Sequence, residues 1–452
     1  MKNRYGALLA ITCLFNNAAN AQSWLNTGSP GFTGAPAPYS SMALDTSGKP
    51  YVVYQDEANG YKASVMRFDG TNWIQVGSAG FSAGTALYTS IAIDHSGTPY
   101  VVYEDAANAD NATVMKFNGA AWVTVGSAAF SGVSVSNTSI TIDSTGSPYV
   151  IFMDISNNKP TVMKFNGSAW ITPGGSDISD GAAEFPSIAI GPNGVPYAAY
   201  TDDSASQKVT VKKYNDTSWV TVGGAGFSAG AARYTKLAMG RGTPYVVYQD
   251  AANAYKATVM KYSGTAWATV GSAGFSADTA LFTSLAIDTS GNPYVAYADY
   301  ANGYKATVMN YSDAAWSGAG SAGFSDGSVL FPTIAIDRNN KAYAGFEDVA
   351  HSYAATVMSL EPPTRIVPVI AGTQQLSIYP NPNNGTFSLR LNVASSEDAR
   401  IAIFSATGQT MQEQTATTNS DIHISLNVPP GIYFLHVVTR EASWVRQITI
   451  MN

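Results

Sequence analysis

Seven aspartates, Asp56, Asp105, Asp154, Asp202, Asp250, Asp299 and Asp348, recur at intervals of 48 or 49 residues. Carboxylates accept hydrogen bonds from sugar hydroxyls, and several together can hold Ca²⁺, which takes about six to eight oxygens. A second series runs in step with them: Tyr39, Tyr88, Phe185, Tyr234, Phe282 and Phe331, with Asn137 in the remaining place. Tyr61, Tyr255, Tyr304 and Tyr353 add further rings. Aromatic faces stack on the apolar side of a sugar ring while polar neighbours fix its orientation. Both series are therefore candidate ligand-binding residues. For the aspartates a structural role is the preferred alternative. An Asp after a strand often accepts backbone N–H groups in the turn, and all seven copies keep it. The aromatics fit a ligand platform or packing between repeat units equally well.

Residues suited to catalysis are sparse. The histidines are His95, His351, His423 and His436, and no G-x-S-x-G, H-E-x-x-H or P-loop occurs. Asp202-Asp203 is a local acid pair, and Glu104 and Glu347 each precede an Asp of the series. A paired-carboxylate glycosidase stays open as an alternative, because its residues meet only in the fold. Near-identical units argue against a single catalytic site. The stretch from 143 to 215 diverges most, and is where a special site is expected if there is one. No dense Asp/Asn loop suggests a dedicated Ca²⁺ site, and no cofactor is expected.

These residues are carried by a repeat. Trp24, Trp73, Trp122, Trp170, Trp219, Trp267 and Trp316 are spaced by 48 or 49 residues, and "PYVVYQD" occurs at Pro50 and again at Pro244. Each unit holds four strand signals: an "SIAID" type, a "PYVVY" type, an "ATVMKF" type and a short one at the Trp. Turn sequences such as "DTSGKP" and "FNGAAW" separate them. Runs like "PYVVY" lack polar alternation, which marks strands covered on both faces. Four-stranded units of this length, each covered by its neighbours, predict an all-β, seven-bladed β-propeller over residues 22–360. The first Trp strand, at 23–28, precedes the first full unit, and the last unit lacks one. The N-terminal strand is thus expected to complete the last blade and close the ring. The long loops emerge on one face, which is the expected binding face.

Length alone suggests about three domains. Only 12% of the 452 residues are charged, and the net charge is −7. This balance excludes nucleic acid or an anionic membrane as the main partner. Residues 1–21 read as a signal peptide: Lys2 and Arg4, an apolar "ALLAITCLF", then Ala19-Asn20-Ala21. Cleavage there removes those two charges and also Cys13, the only cysteine, leaving stability to burial alone. No stretch is long and apolar enough for a membrane-spanning helix.

After residue 360 the repeat stops. Residues 361–375, "EPPTRIVPVIAGTQQ", read as a linker, and 376–452 as a small antiparallel β-sandwich. Here "YPNPNNGTF" (with Tyr379, Pro380, Asn381, Pro382 and Gly385), "IFSATGQ", "GIYFLHV" (with Gly431 and Tyr433) and the terminal "VRQITI" occur in order. Together they resemble the type IX secretion C-terminal sorting domain of Bacteroidetes-type bacteria, with Arg446 and Gln447 in place of the more usual lysine. The resemblance implies export by the type IX machinery, removal of the tail, and attachment to the cell surface or release. The repeat part resembles propellers found in such surface proteins and, at fold level only, propeller lectins. The expected protein is a monomeric, surface-attached or secreted binding module, for glycans in the first instance. A protein-binding scaffold and a polysaccharide-active enzyme are the alternatives.

Overall fold

The structure, a computed structural model, describes residues 22–362, 376–393, 396–405, 409–439 and 443–451. The expected signal peptide and most of the expected linker lie outside the described residues. Contacts divide the chain into two compact units, one over Ala21–Pro363 and one containing Thr364–Asn452.

The first unit contains seven four-stranded antiparallel sheets, the blades of a β-propeller. Their innermost strands are Ser41–Leu44, Ala86–Ile93, Val135–Ile142, Ala183–Ile190, Ala232–Gly240, Ala280–Ile287 and Val329–Ile336, and they number blades 1 to 7. The second strands Pro50–Asp56 and Pro99–Asp105 are buried at every residue, and their counterparts at nearly every one. That matches their unbroken apolar run, because neighbouring blades cover both faces. One core cluster shows this: Tyr51, Val53 and Val65 of blade 1 pack with Ile91, Val101 and Tyr103 of blade 2.

Tryptophan sets the spacing between blades. The Trp122 indole N–H donates to the Val76 carbonyl of the preceding blade at 2.8 Å, and its ring stacks on Phe81 at 4.2 Å. Gly77 lies under that ring with φ +69°, and a Cβ there would come within 3.0 Å of the indole. Only glycine meets both demands. In blade 7 the fourth strand is Ser23–Asn26, antiparallel to Ala354–Glu361, with Trp24 opposite Leu360.

The sequence motif for the innermost strand is shorter than the strand itself. In blade 2, Leu87 pairs with Glu104 and Ser90 with Val102, so Tyr88 and Thr89 oppose a single residue. This is a β-bulge, which bends the strand and re-aims the side chain. The same register shift recurs in blades 3 to 7. From blade 2 onward the aromatic series therefore sits inside this strand, not in the preceding loop.

The second unit packs a three-stranded sheet (Leu376–Tyr379, Thr386–Leu391, Asp421–Ser425) with a four-stranded one (Asp398–Ser405, Thr410–Thr417, Gly431–Val438, Ser443–Ile450). Phe387, Leu389, Ile401, Leu435 and Ile448 lie at the centre of its core.

Candidate functional site

A cavity of about 450 Å³ is lined by all seven blades, each supplying the same short segment of its innermost strand. Because equivalent residues converge from every blade, the cavity lies on the propeller axis. The segments read Tyr39-Ser40-Ser41, Tyr88-Thr89-Ser90, Asn137-Thr138-Ser139, Phe185-Pro186, Tyr234-Thr235-Lys236, Phe282-Thr283-Ser284 and Phe331-Pro332-Thr333.

The first residue of every segment has a positive φ, between 47° and 57°. Asn tolerates this left-handed region, but aromatic residues rarely adopt it. Such a conformation costs on the order of 1–3 kcal/mol at each position. Asn137 shows that the bulge can be made without an aromatic, yet six blades keep one. Neighbouring rings meet at a tilt of 51° to 55° around the axis. Phe185 lies 5.2 Å from Tyr234, Tyr234 lies 4.9 Å from Phe282, and Phe282 lies 4.5 Å from Phe331. Tyr39 and Tyr88 form a further pair at 4.9 Å. Asn137 opens the ring at blade 3. Burial raises the pKa of Tyr39 and Tyr88, so both phenols stay protonated and can donate.

Hydroxyls hold these segments in place. Thr89 and Thr283 donate to the carbonyls of Tyr39 and Tyr234 in the preceding blades, at 2.5 and 2.8 Å. Thr138 does the same to Tyr88. At the third position, Ser90, Ser187 and Ser284 accept N–H groups of Ile140, Leu237 and Ile334 in the following blades.

Lys236 breaks this pattern. It occupies the third position in blade 5, where the other six blades have Ser or Thr. Lys236 is exposed, and it lines the cavity. Desolvation holds its pKa below the ordinary lysine value. No acidic side chain pairs with it among the described residues. Sequence reading passed over Lys236. The available signal was "KLAMG" against "SIAID" and its relatives.

The aspartates are elsewhere. Their side chains do not line the cavity, and all seven are buried, from 0% to 9% exposed. Asp250 accepts the Ala252 N–H at 3.0 Å, the Asn253 amide at 2.9 Å and the Thr258 hydroxyl at 2.8 Å. Thr258 in turn accepts the Gly274 N–H at 2.8 Å. This relay ties the loop after the second strand to the long loop before the next blade. Asp105, Asp202, Asp299 and Asp348 make the same contacts to a turn N–H and a Thr. Asp56 is held by Ser64 and Asn59, and Asp154 by Ser156. Each aspartate thus has at least one carboxylate oxygen engaged by protein donors and ties together the backbone around it, the role preferred for the series above. No cluster of potential metal ligands occurs among the described residues.

Beyond the ring, Tyr61, Tyr255, Tyr304 and Tyr353 are exposed at 40% to 47%, again with φ near +60°. The matching residues in blades 2 to 4 are Asp110, Asn158 and Gln207. The exposed tyrosines thus occupy four consecutive blades, 5, 6, 7 and 1. The Tyr61 carbonyl accepts the N–H of Ala86, where the next innermost strand begins, so this arc lies on the same face as the cavity. The departures from symmetry are Asn137, Lys236 and the tyrosine arc.

In the tail, Asn381 brackets the last strand. Its amide donates to the Gln447 carbonyl at 2.9 Å and its oxygen accepts the Thr449 N–H at 2.8 Å. Gly385, at φ +94°, lies so close to the Leu426 carbonyl that a Cβ would come within 2.6 Å of it. The Tyr433 hydroxyl donates to the Pro429 carbonyl at 2.8 Å. Tyr379 is exposed, and Pro380 and Pro382 follow cis peptide bonds.

Residues 377–451 match the secretion system C-terminal sorting domain family. The tail is a type IX sorting domain, and the protein is exported to the cell surface or secreted. No helix among the described residues is long and apolar enough to cross a membrane. No curated protein matches the chain. Among solved structures it is similar to a fucose-binding lectin of Aleuria aurantia (17% identity over 63% of this chain and 94% of that one, TM-score 0.43). It is also similar to an ulvan lyase of a polysaccharide lyase family (11%, 75% and 95%, TM-score 0.48) and to a Dyadobacter fermentans protein of unknown function (12%, 75% and 98%, TM-score 0.42). A shared fold does not assign a function, which has to be read from the site.

Proposed function

We propose that this is an exported glycan-binding protein. Its scaffold is a seven-bladed propeller (residues 22–360) closed by the N-terminal strand and followed by a linker and the sorting domain. The ligand enters the axial cavity. The observation that carries this reading is the aromatic ring in left-handed backbone, retained in six blades although Asn137 shows it is dispensable for the bulge. Strain kept where folding does not need it points to a ligand. Tilted rings offer apolar faces, while Ser and Thr hydroxyls and the Tyr phenols offer directional hydrogen bonds, the combination a sugar demands. The tyrosine arc on blades 5, 6, 7 and 1 extends this platform outward, which suits an oligosaccharide better than a monosaccharide.

The test is a glycan array with the full chain, with and without Ca²⁺. Reproducible binding to one sugar class, unchanged by Ca²⁺ and lost in Tyr234→Asn, is the expected result. A blank array in both conditions rejects the glycan reading in favour of a protein-binding scaffold.

A further inference from the structure

We infer that the ligand of the axial cavity carries an anionic group, a carboxylate or sulfate on a sugar, that binds Lys236. This rests on the glycan reading and adds the charge class of the ligand.

The other blades show what this position does. A hydroxyl at this position can accept the N–H of the following blade, as Ser90, Ser187 and Ser284 do. A charged lysine has no lone pair, so blade 5 forgoes that bond. It gains nothing visible in return, since Lys236 has no ion pair among the described residues. An exposed lining ammonium that no acidic side chain neutralises is available to an anion that enters the cavity. The cavity can admit it: Lys236 lies two residues beyond Tyr234 and is the only charged residue in the lining. A sugar stacked on the ring would therefore bring a substituent to the ammonium. Stacking and a charge-assisted hydrogen bond would act on one residue. The net charge of −7 opposes a densely charged polyanion at long range. The ligand is accordingly one local acidic sugar within a sparsely charged chain.

The experiment uses a panel of oligosaccharides with single acidic groups, each paired with its neutral twin. Examples are a xylo-oligosaccharide bearing one glucuronic acid beside its methyl ester, and a monosulfated oligosaccharide beside its desulfated form. Binding to the full chain is measured by calorimetry. Inorganic sulfate at matched concentration separates recognition of an acidic sugar from capture of any anion. The expected preference for an acidic member is about tenfold or more. Lys236→Ser restores the hydroxyl of the other blades. It should remove that preference, so that both twins bind alike, while Lys236→Arg keeps it. Equal binding of both twins, a preference that survives Lys236→Ser, or sulfate binding as well as the sugar overturns the inference and leaves the glycan reading standing. Failure of every glycan to bind overturns both.

Discussion

Trp24 donates its indole N–H to the carbonyl of Ala319 at 2.7 Å, across 295 residues of chain. Its ring stacks on Phe324 at 4.5 Å and lies against Gly320, repeating the arrangement of Trp122 with Val76, Phe81 and Gly77. The N-terminal strand therefore enters blade 7 through the same contacts that join the other blades. Trp24→Ala should lower the stability of the first unit by about 3–5 kcal/mol, the usual range for a buried aromatic. Deleting residues 22–28 should lower it further. Thermal unfolding of the full chain, followed by near-ultraviolet dichroism, measures this. A Trp24→Ala variant that unfolds with the parent refutes closure by this strand.

The aspartate series predicts loss of stability without loss of binding. Asp250→Ala strips the partner from the Ala252 N–H, the Asn253 amide and the Thr258 hydroxyl. The Thr258 hydroxyl is buried, and a buried donor left unpaired costs about 1–3 kcal/mol, while the two part-buried donors can turn to water at lower cost. Denaturant titration should show a drop of roughly 2 kcal/mol, while glycan affinity at a temperature where the variant is folded should equal the parent's. A selective loss of affinity with unchanged stability would return Asp250 to the ligand site.

Packing was legible in the sequence, and aim was not. Trp122 and its six counterparts stood out because each makes the same contact, so the period of 48 or 49 residues records a geometric requirement. The aspartates were legible as positions, but their role depends on what folds over them. Asp250 and Thr258 meet only through pairing of the second and third strands. The place of the aromatics inside the strand was not legible, because a two-against-one bulge leaves no mark in residue type; Tyr88 has no reason to announce a positive φ. Lys236 is a single departure from a repeat, and a search for regularity discards such departures. The structure restores its weight by showing that six of the seven equivalent positions, Lys236 among them, line one cavity.

The aromatic ring predicts binding lost without stability lost. In Tyr234→Asn the new residue suits the left-handed backbone, as Asn137 does in blade 3. Removing the ring also breaks its contacts with Phe185 and Phe282, at 5.2 and 4.9 Å. Relief of roughly 1 kcal/mol or more of backbone strain opposes a pair loss of about 0.5–1.5 kcal/mol each. Stability should thus change by less than about 2 kcal/mol, and glycan affinity should fall by about tenfold or more. Unaltered affinity in Tyr234→Asn and Phe282→Asn together would show that the ring serves only blade packing.

Two glutamates behind the ring predict how stability responds to pH. Burial pushes Glu104 up to about 7, with a further rise from the charge of Asp110. Burial pushes Glu347 up to about 7 as well, partly offset by the Tyr39 and Ser40 N–H groups. One carboxyl oxygen of each is buried without a hydrogen-bond partner, the situation that favours the neutral acid. In the unfolded chain both return to an ordinary value near 4.5. The folded state therefore binds more protons between about pH 4.5 and 7, and stability must fall as pH rises through that window. Asp143 acts elsewhere: burial raises it, but hydrogen bonds from Thr145 and Ser147 hold it below the ordinary aspartate value, so its contribution is lost only on acidification. Blades 1 and 5 show what a neutral side chain does in this place, since Gln55 and Gln249 donate to the Ala86 and Ala280 carbonyls of the next blade, both at 2.9 Å. Glu104→Gln should therefore raise the melting temperature at pH 8 by the equivalent of about 3 kcal/mol, have little effect at pH 4.5, and flatten the decline between the two. A parent whose melting temperature is level or rising from pH 5 to 8 would show that both glutamates ionise in the folded protein.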